Sequence, residues 1–250
     1  MTAPPPADPA LVELLVRADV LRFGDFVTKS GRPTPYFANF GDVRTGSQIA
    51  ELGRLYADRI ALVFGDGVDV VFGPAYKGIP LAVAAAAALA THHDRDVGFA
   101  FDRKEVKDHG EGGALVGHPL RDGDRVVIVE DVTTAGTSVR ETVPKLRAVA
   151  DVDVVGLVVA LDRRERGPSG DGSALDGLAA EFGLVATSLA TIEQVVELLV
   201  DREIDGRVVL TREHADRIAA HLAEHGPGRG WRRHDDLGAR GDGDCAVASR

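Results

Sequence analysis

The 250-residue sequence has a single cysteine, Cys245, and no apolar run that approaches the roughly 18 residues of a membrane span. One cysteine cannot form an intrachain disulfide or a cysteine-based metal site. The N-terminal stretch MTAPPPADPA has neither the basic start nor the apolar core of a secretion signal. We therefore expect a cytoplasmic protein without a membrane partner.

Basic residues are fewer than acidic ones, 29 against 39, and the formal net charge is -10. A nucleic-acid-binding protein usually shows a basic face or domain, and none is visible here, so no nucleic-acid partner is expected. Lysine is rarer still, with five residues against 24 arginines. Four of the five fall in short segments typical of ligand loops: Lys29, Lys77, Lys104 and Lys107. This placement arises either by chance or because a compact ammonium group is needed beside a bound anion.

Helical and strand patterns alternate along most of the chain. The predicted helices cover residues 9–18, 47–64, 79–90, 139–150, 191–200 and 211–224, and the predicted strands cover 68–72, 97–101, 125–129, 152–161 and 185–189. This alternation predicts an α/β fold with a mainly parallel sheet and helices on both faces. Ligands of such sheets bind beyond the carboxyl ends of the strands. The loops after the strands at 68–72, 97–101 and 125–129 are therefore expected to converge.

Three stretches show no clear helical or strand period. Residues 22–45 are rich in loop-forming residues, and residues 102–124 are longer than the roughly 12–15 residues usual for a structureless connection, which favours a functional lid or disorder. From Gly226 onward the chain has little apolar content, so we expect one domain over residues 1–225 and a disordered tail over 226–250. Pro144 should kink its predicted helix or shift its start.

The segment with the most chemistry is VVIVEDVTTAGTS, residues 126–138. A loop of small residues before a helix can hold a phosphate with its backbone amides, although this one lacks the Gly-Lys-Ser/Thr ending of a P-loop. Glu130 and Asp131 would repel a phosphate but suit ribose hydroxyls, which need acceptors. A ribose that carries a phosphate satisfies both halves. The alternative is a strand ending in acids that cap the next helix, which fits a generic loop better than this full string.

This string resembles the phosphoribosyl pyrophosphate signature of the type I phosphoribosyltransferases. Four other segments are similar, in order and spacing, to those of the orotate phosphoribosyltransferase family: residues 26–41, 73–82, 101–117 and 161–167. The resemblance covers about residues 10–200. It implies a type I phosphoribosyltransferase-like fold and transfer of ribose 5-phosphate from phosphoribosyl pyrophosphate to orotate. The products would be orotidine 5'-monophosphate and pyrophosphate, on the pyrimidine (UMP) biosynthetic route.

The resemblance also implies a role for each matched position. It assigns the ribose hydroxyls to Glu130, where many members have Asp, and to Asp131. It assigns the 5-phosphate to Thr133, Thr134, Ala135, Gly136, Thr137 and Ser138, with Thr134 also touching orotate. It assigns the pyrophosphate to Lys29, Tyr76 and Lys77, and the lid that closes over it to Arg103, Lys104, Lys107 and His109. It assigns the orotate ring to Phe37 and Arg163, while Ala38 replaces a second aromatic of some members. The residues expected to be catalytic are Lys104, Asp131, Arg103, Lys107 and His109.

A cofactor and a partner subunit follow from the same resemblance. Mg²⁺ is expected to bind mainly through substrate oxygens and water, as it commonly does with phosphates, so no residue is assigned as a metal ligand. The family implies a homodimer whose lids reach across to the partner's site. The histidines show no metal-ligand spacing, and those of the last helix, His214, His221 and His225, are expected on the surface.

Two other functions fit parts of the sequence. A regulator that kept the ligand loop but lost catalysis should lack the lid cations or add a DNA-binding domain. This chain has Arg103, Lys104 and Lys107 and no added basic domain. A transferase for another base is the second alternative. Arg163 and the segments KSGR and RKEVKDHGEGG favour an acidic pyrimidine.

Overall fold

The computed structural model describes residues 5–28, 31–103, 114–133, 135–167 and 172–227. Its helices are α1 Pro9–Arg17, α2 Gly46–Phe64, α3 Gly78–His93, α4 Thr137–Val149, α5 Ala174–Phe182, α6 Ile192–Leu199 and α7 Arg212–His225, with a 3-10 turn at Phe40–Asp42. Its strands are β1 Leu21–Val27, β2 Pro33–Ala38, β3 Val70–Phe72, β4 Gly98–Asp102, β5 Leu115–Gly117, β6 Arg125–Thr133, β7 Asp153–Asp162, β8 Val185–Thr191, β9 Glu203–Ile204 and β10 Arg207–Val208.

Six strands form one central sheet in the order β5-β4-β3-β6-β7-β8. β5 runs antiparallel to β4, and every other pair in this sheet is parallel. The α/β fold with a mainly parallel sheet is therefore confirmed. Because parallel strands end at one edge, the loops after β3, β4, β6 and β7 all open on the same side of the sheet.

The core lies on both faces of this sheet. Along β6, Val127 and Val129 pack into one apolar cluster with α1, α2, α3, α6 and α7, while Val126 and Ile128 pack into a second with α4 and α5. Successive side chains of a strand point to opposite faces, so this division follows from the alternation. β6 is consequently apolar from Val126 to Val129, between Arg125 at its start and the acids at its carboxyl end.

Helices α2 and α3 pack closely on the first of these faces. Gly53 of α2 lies against α3, and a Cβ atom placed on it would be 2.6 Å from the Cβ of Ala84. The capping box of α2 joins Thr45 and Gln48. Helix α6 begins with a capping box of the same kind, formed by Thr191 and Gln194. These caps satisfy amides at the helix starts, so the elements begin close to where the sequence placed them.

The structure differs from the sequence prediction at several elements. Strand β5, Leu115–Gly117, lies inside the predicted lid loop 102–124 and pairs with β4, and the short strands β9 and β10 are not predicted. Residues 22–45, predicted as loop, contain the antiparallel hairpin of β1 and β2, with Leu21 opposite Ala38. β6 continues past Val129 to Thr133 because β7 pairs with it as far as Asp162. Helix α5 is not predicted by the sequence pattern. Pro144 lies inside α4, which begins at Thr137, so the proline does not delay the start of the helix, and the kink stays a prediction.

No helix in the described ranges is both long enough and apolar enough to span a bilayer. The last residue of α7 is hydrogen-bonded to the segment after β7: the amide of Arg166 donates to the carbonyl of His225 at 2.8 Å. Residues 228–250, most of the predicted tail, lie outside the described ranges.

Candidate active site

Two acidic side chains lie at the carboxyl end of β6. The β6–β7 ladder, which pairs Glu130 with Val159, holds them in extended backbone. The Tyr56 hydroxyl donates to the Glu130 carbonyl at 2.5 Å and fixes the strand from α2. Burial raises the pKa of the Glu130 carboxyl to about 7, against the lowering effect of a hydrogen bond from Ser138. Glu130 therefore titrates near neutral pH.

Lys77 reaches the second acid from the loop between β3 and α3. Its Nζ lies 2.9 Å from Oδ2 of Asp131. Lys77 is 56% exposed and Asp131 is 17% exposed, so the pair faces the open edge of the sheet. The same loop is anchored by Asp102, whose Oδ1 accepts the Ala75 amide at 2.7 Å. The peptide between Ala75 and Tyr76 is cis.

The loop between β6 and α4 turns at Gly136. Its φ of 70° lies in the left-handed region, and an added Cβ would be 2.7 Å from the Leu178 side chain, so glycine is needed there. Gly136 is also the N-cap of α4 and has no side chain to cap the helix. The first amides of α4 consequently remain as donors for an anion.

An aromatic surface lies on the hairpin. The Phe37 ring stacks on Phe26, with centroids 5.6 Å apart, and the guanidinium carbon of Arg22 lies 5.8 Å from the same ring's centroid. Phe37 is 38% exposed, whereas its neighbour Tyr36 points to the opposite face and is fully buried. A planar ligand could stack on the exposed Phe37 ring.

Arg163 follows the last residue of β7 and is only 8% exposed. Its Nε and Nη2 donate to Oε1 of Glu165 at 3.0 and 2.7 Å. Its guanidinium carbon lies 4.7 Å from the centroid of the Tyr36 ring. The strand register places Thr133 opposite Asp162. The β6–α4 loop and Arg163 thus leave neighbouring strands at the same edge.

The predicted site residues fall into three groups. The structure joins Lys77 to Asp131, and it places the β6–α4 loop and Arg163 at one edge of the sheet. Arg103 is described, with its amide bonded to the Ala114 carbonyl at 2.9 Å. Five predicted residues lie outside the described ranges: Lys29, Lys104, Lys107, His109 and Thr134.

One histidine contradicts the sequence prediction. His221 was expected on the surface but is 8% exposed, and its Nε2 lies 3.2 Å from Oε1 of Glu165. The helical period carried this signal, because His221 follows the buried Ile218 by three residues and precedes the buried Leu222. Glu165 lies within the segment 161–167, but the sequence does not identify it as a site residue, because its contacts are with residues distant along the chain.

Oxygen donors are the ligands available to a metal ion here. Within the described ranges, no group of three or more His, Cys, Asp or Glu side chains is arranged to hold one. Two carboxylates at the end of β6, one of them already paired with Lys77, suit a hydrated hard cation carried by a phosphate substrate better than a protein-only site.

Comparison with known proteins agrees with this geometry. The family model described as phosphoribosyl transferase domain matches residues 45–189. An orotate phosphoribosyltransferase from Clostridium acetobutylicum is 50% identical over 215 residues, which are 86% of this chain and 96% of the relative. One from Bifidobacterium longum is 48% identical over 220 residues, covering 86% and 95% of the two chains.

A solved structure extends the likeness to three dimensions. The crystal structure of an orotate phosphoribosyltransferase from Francisella tularensis has a TM-score of 0.73 and 33% identity, over 87% of this chain and 99% of that chain. The fold and the family match thus define a phosphoribosyltransferase. Within that class, the chain belongs to the orotate phosphoribosyltransferase family.

Proposed function

We propose that this protein transfers ribose 5-phosphate from phosphoribosyl pyrophosphate to orotate and releases pyrophosphate. The observation that supports this most strongly is the pairing of Lys77 with Asp131 at 2.9 Å beside the uncapped start of α4. A cation, two acids and a set of free amides follow one another along one edge. This order matches a pyrophosphate, a ribose and a 5-phosphate.

Each part of phosphoribosyl pyrophosphate then has a complementary group. The 5-phosphate accepts hydrogen bonds from the amides and hydroxyls of residues 133–138. The ribose hydroxyls donate to Glu130 and Asp131. Binding transfers the Lys77 ammonium from Asp131 to the pyrophosphate, with Tyr76 and Lys29 beside it. The Lys77–Asp131 pair therefore keeps the two groups mutually neutralised until the substrate separates them.

Orotate binds on the other side of the ribose. Its ring lies against Phe37, and Arg163 and Thr134 bond to its polar groups. A guanidinium matches a carboxylate with paired, charge-assisted hydrogen bonds. An uncharged pyrimidine would leave the buried Arg163 without this partner, so the arginine favours orotate over uracil.

Catalysis consists of stabilising the charge that develops as the bond between ribose C1 and pyrophosphate breaks. Arg103, Lys104, Lys107 and His109 supply cationic and donor groups for the departing pyrophosphate. Mg²⁺ would bind mainly through substrate oxygens and water, with the carboxylates of Glu130 and Asp131 as the nearest acidic groups, and would supply further positive charge. Asp131 and Glu130 hold the ribose in place while its C1 meets the orotate nitrogen.

The activity can be tested by following the loss of orotate absorbance after phosphoribosyl pyrophosphate and Mg²⁺ are added. Uracil, hypoxanthine and adenine serve as alternative acceptors under the same conditions. Of the four bases, only orotate is expected to react. Turnover with a purine and none with orotate would replace the proposed acceptor, and no turnover with any base would favour the catalytically inactive regulator.

We also propose that the protein is a homodimer with shared sites. Helix α3 starts beside Lys77, and its exposed positions include Pro80, Val83, Ala87 and Ala90. Such a face of small apolar residues, with the exposed Tyr76 in the loop just before the helix, suits burial against the same face of a second copy. This arrangement would bring the two pyrophosphate loops together, so that Lys104 and its neighbours could serve the partner's site.

A further inference from the structure

Glu165 is a buried carboxylate at the centre of a polar cluster that the sequence does not reveal. The residue is 6% exposed. Its Oε1 accepts hydrogen bonds from Arg163 at 2.7 Å and from the Tyr36 hydroxyl at 3.2 Å, and lies 3.2 Å from Nε2 of His221. Arg32 forms an ion pair with Oε2. The cluster thus joins the hairpin, the end of β7 and α7 through one side chain.

The charge of this cluster is unbalanced. Burial acts to raise the pKa of Glu165, but the hydrogen bond with His221 and the charges of Arg163 and Arg32 lower it to about 2. Burial raises the pKa of the Tyr36 phenol, which therefore stays a neutral donor. Two guanidinium groups consequently share one carboxylate. The excess positive charge lies next to the edge where the substrate loops meet, and it suits an anionic ligand.

Glu165 also fixes the direction of the Arg163 guanidinium. One edge of the guanidinium is occupied by hydrogen bonds. Nε and Nη2 both donate to Glu165, and Nη2 lies 3.3 Å from Oγ1 of Thr34. The Tyr36 ring covers one face at 4.7 Å. The contacts with Glu165 and Thr34 do not use Nη1 of Arg163, and the buried Nε of Arg32 has no acceptor among the described residues. Donors that Glu165 does not occupy therefore remain on both arginines.

We propose that Glu165 is a positioning residue that holds Arg163 for the carboxylate of the pyrimidine substrate and that is itself held by His221 of α7. This inference rests on the proposed contact between Arg163 and orotate. Glu165 does not touch the substrate, because its oxygens are occupied by the cluster. Its removal should therefore weaken the binding of one substrate and leave the other unaffected.

The test is Glu165→Gln, which keeps the shape and one acceptor oxygen but removes the charge. KM for orotate should rise by about tenfold or more, the range expected for losing a charge-assisted hydrogen bond. KM for phosphoribosyl pyrophosphate, and kcat at saturating orotate, should change by less than about twofold, because those groups lie at β6 and α3. An equal rise in both KM values would overturn the positioning role.

Glu193→Gln is the matched control. Glu193 is a partly buried glutamate at the start of α6 and lies 3.5 Å from Arg164, not Arg163. Its replacement also removes one carboxylate charge beside an arginine at the same edge. KM for orotate should stay within about twofold of the original value, since only a change at Arg163 is expected to alter it. A rise equal to that of Glu165→Gln would show a general charge effect and overturn the proposal.

Arg163→Lys separates this proposal from the proposed function. If Arg163→Lys leaves KM for orotate unchanged, the orotate contact of Arg163 is wrong, and the positioning role is wrong with it. If Arg163→Lys raises it and Glu165→Gln does not, only the positioning role is wrong. The double variant should bind orotate no worse than Arg163→Lys alone, because Glu165 acts through Arg163. Independent, multiplying effects would contradict this.

His221→Gln tests the same chain of contacts from α7 and remains informative if Glu165→Gln lowers the melting temperature. Glutamine can still donate one hydrogen bond to Glu165. KM for orotate should rise by a smaller factor than with Glu165→Gln, while KM for phosphoribosyl pyrophosphate stays constant. If His221→Gln has an unchanged melting temperature and an unchanged KM for orotate, the proposed role of His221 in holding Glu165 is wrong.

Discussion

At the scale of single residues, Glu130 is under two opposing influences. Burial raises the pKa of its carboxyl to about 7, whereas accepting hydrogen bonds from ribose hydroxyls favours the ionised form. Asp131, one residue along, is ion-paired with Lys77. Glu130 is therefore expected to titrate near neutrality.

This predicts a pH dependence of substrate binding. Affinity for phosphoribosyl pyrophosphate should rise as pH increases through about 7, the pKa of Glu130, because the ionised carboxylate is the better acceptor. Glu130→Gln should bind more weakly than the original protein above that pH and about equally below it. The ratio of the two dissociation constants, measured from pH 5.5 to 8.5 (about the range in which such a group titrates), cancels the titration of the substrate. A ratio independent of pH would contradict the assignment.

The Glu130 carboxyl should also affect the stability of the fold, which is expected to fall as pH rises, whereas substrate affinity is expected to increase. Its pKa rises from 4.5 to about 7 on folding, so the folded state binds the proton more tightly. The stability due to Glu130 is fully present below pH 4.5 and is lost as pH rises through about 7. Relative to Glu130→Gln, the free energy of unfolding should therefore fall over this range. Urea titrations at both ends of it would measure the change, and a relative rise would refute it.

At the scale of elements, α2 and α3 are joined by a contact that only glycine permits. A Cβ on Gly53 would lie 2.7 Å from backbone atoms of Ala84 as well as 2.6 Å from its Cβ. Backbone cannot move aside as a flexible side chain can, so the two helices would have to separate. Because α3 begins directly after Lys77, this packing also helps to place the loop that we propose binds pyrophosphate.

Gly53→Ala should therefore destabilise the protein, since overpacking typically costs about 1–3 kcal/mol. The matched control is Gly177→Ala in α5, where no described atom lies within 4 Å of the new Cβ. There the same substitution should stabilise by about 0.5–1 kcal/mol through helix propensity. Urea unfolding of both variants measures the two signs. Stabilisation by Gly53→Ala would show that α2 and α3 accommodate the methyl group.

At the scale of the whole molecule, the chain after α7 is expected to be dispensable. Residues 228–250 contain little apolar surface, so their removal should change neither turnover nor melting temperature. Removing residues 212–250 instead deletes α7, with its buried Ala215, Ile218 and Leu222, and should cause severe destabilisation. A fall of several degrees in the melting temperature of the shorter truncation would show that the terminal segment packs on the domain.

Shared sites in a homodimer can be tested by complementation. Lys104→Ala and Asp131→Asn should each be nearly inactive. If Lys104 serves the partner's site, a mixed dimer has one intact site and one site with both defects. Random mixing makes half of the dimers mixed, so activity should recover to about a quarter of the original. Absence of recovery, once subunit exchange has been verified, would reject shared sites and leave the proposed activity unaffected.

The sequence by itself determined the sheet, the flanking helices and the segments that carry ligand chemistry. Strand alternation and capping residues such as Thr191 act locally, so their patterns can be read along the chain. The segment 126–138 was likewise recognisable as a ligand loop from its residues alone. Its strand, β6, is four residues longer than predicted because β7 pairs with it.

Only the tertiary structure decided the surroundings of Arg163. Glu165 contacts Arg32 and His221, which are 133 and 56 residues away along the chain, and no local period encodes such a meeting. The burial of Tyr36 beside this cluster and the raised pKa of Glu130 have the same origin. Local sequence sets which elements form, whereas burial and charge depend on which distant elements pack together.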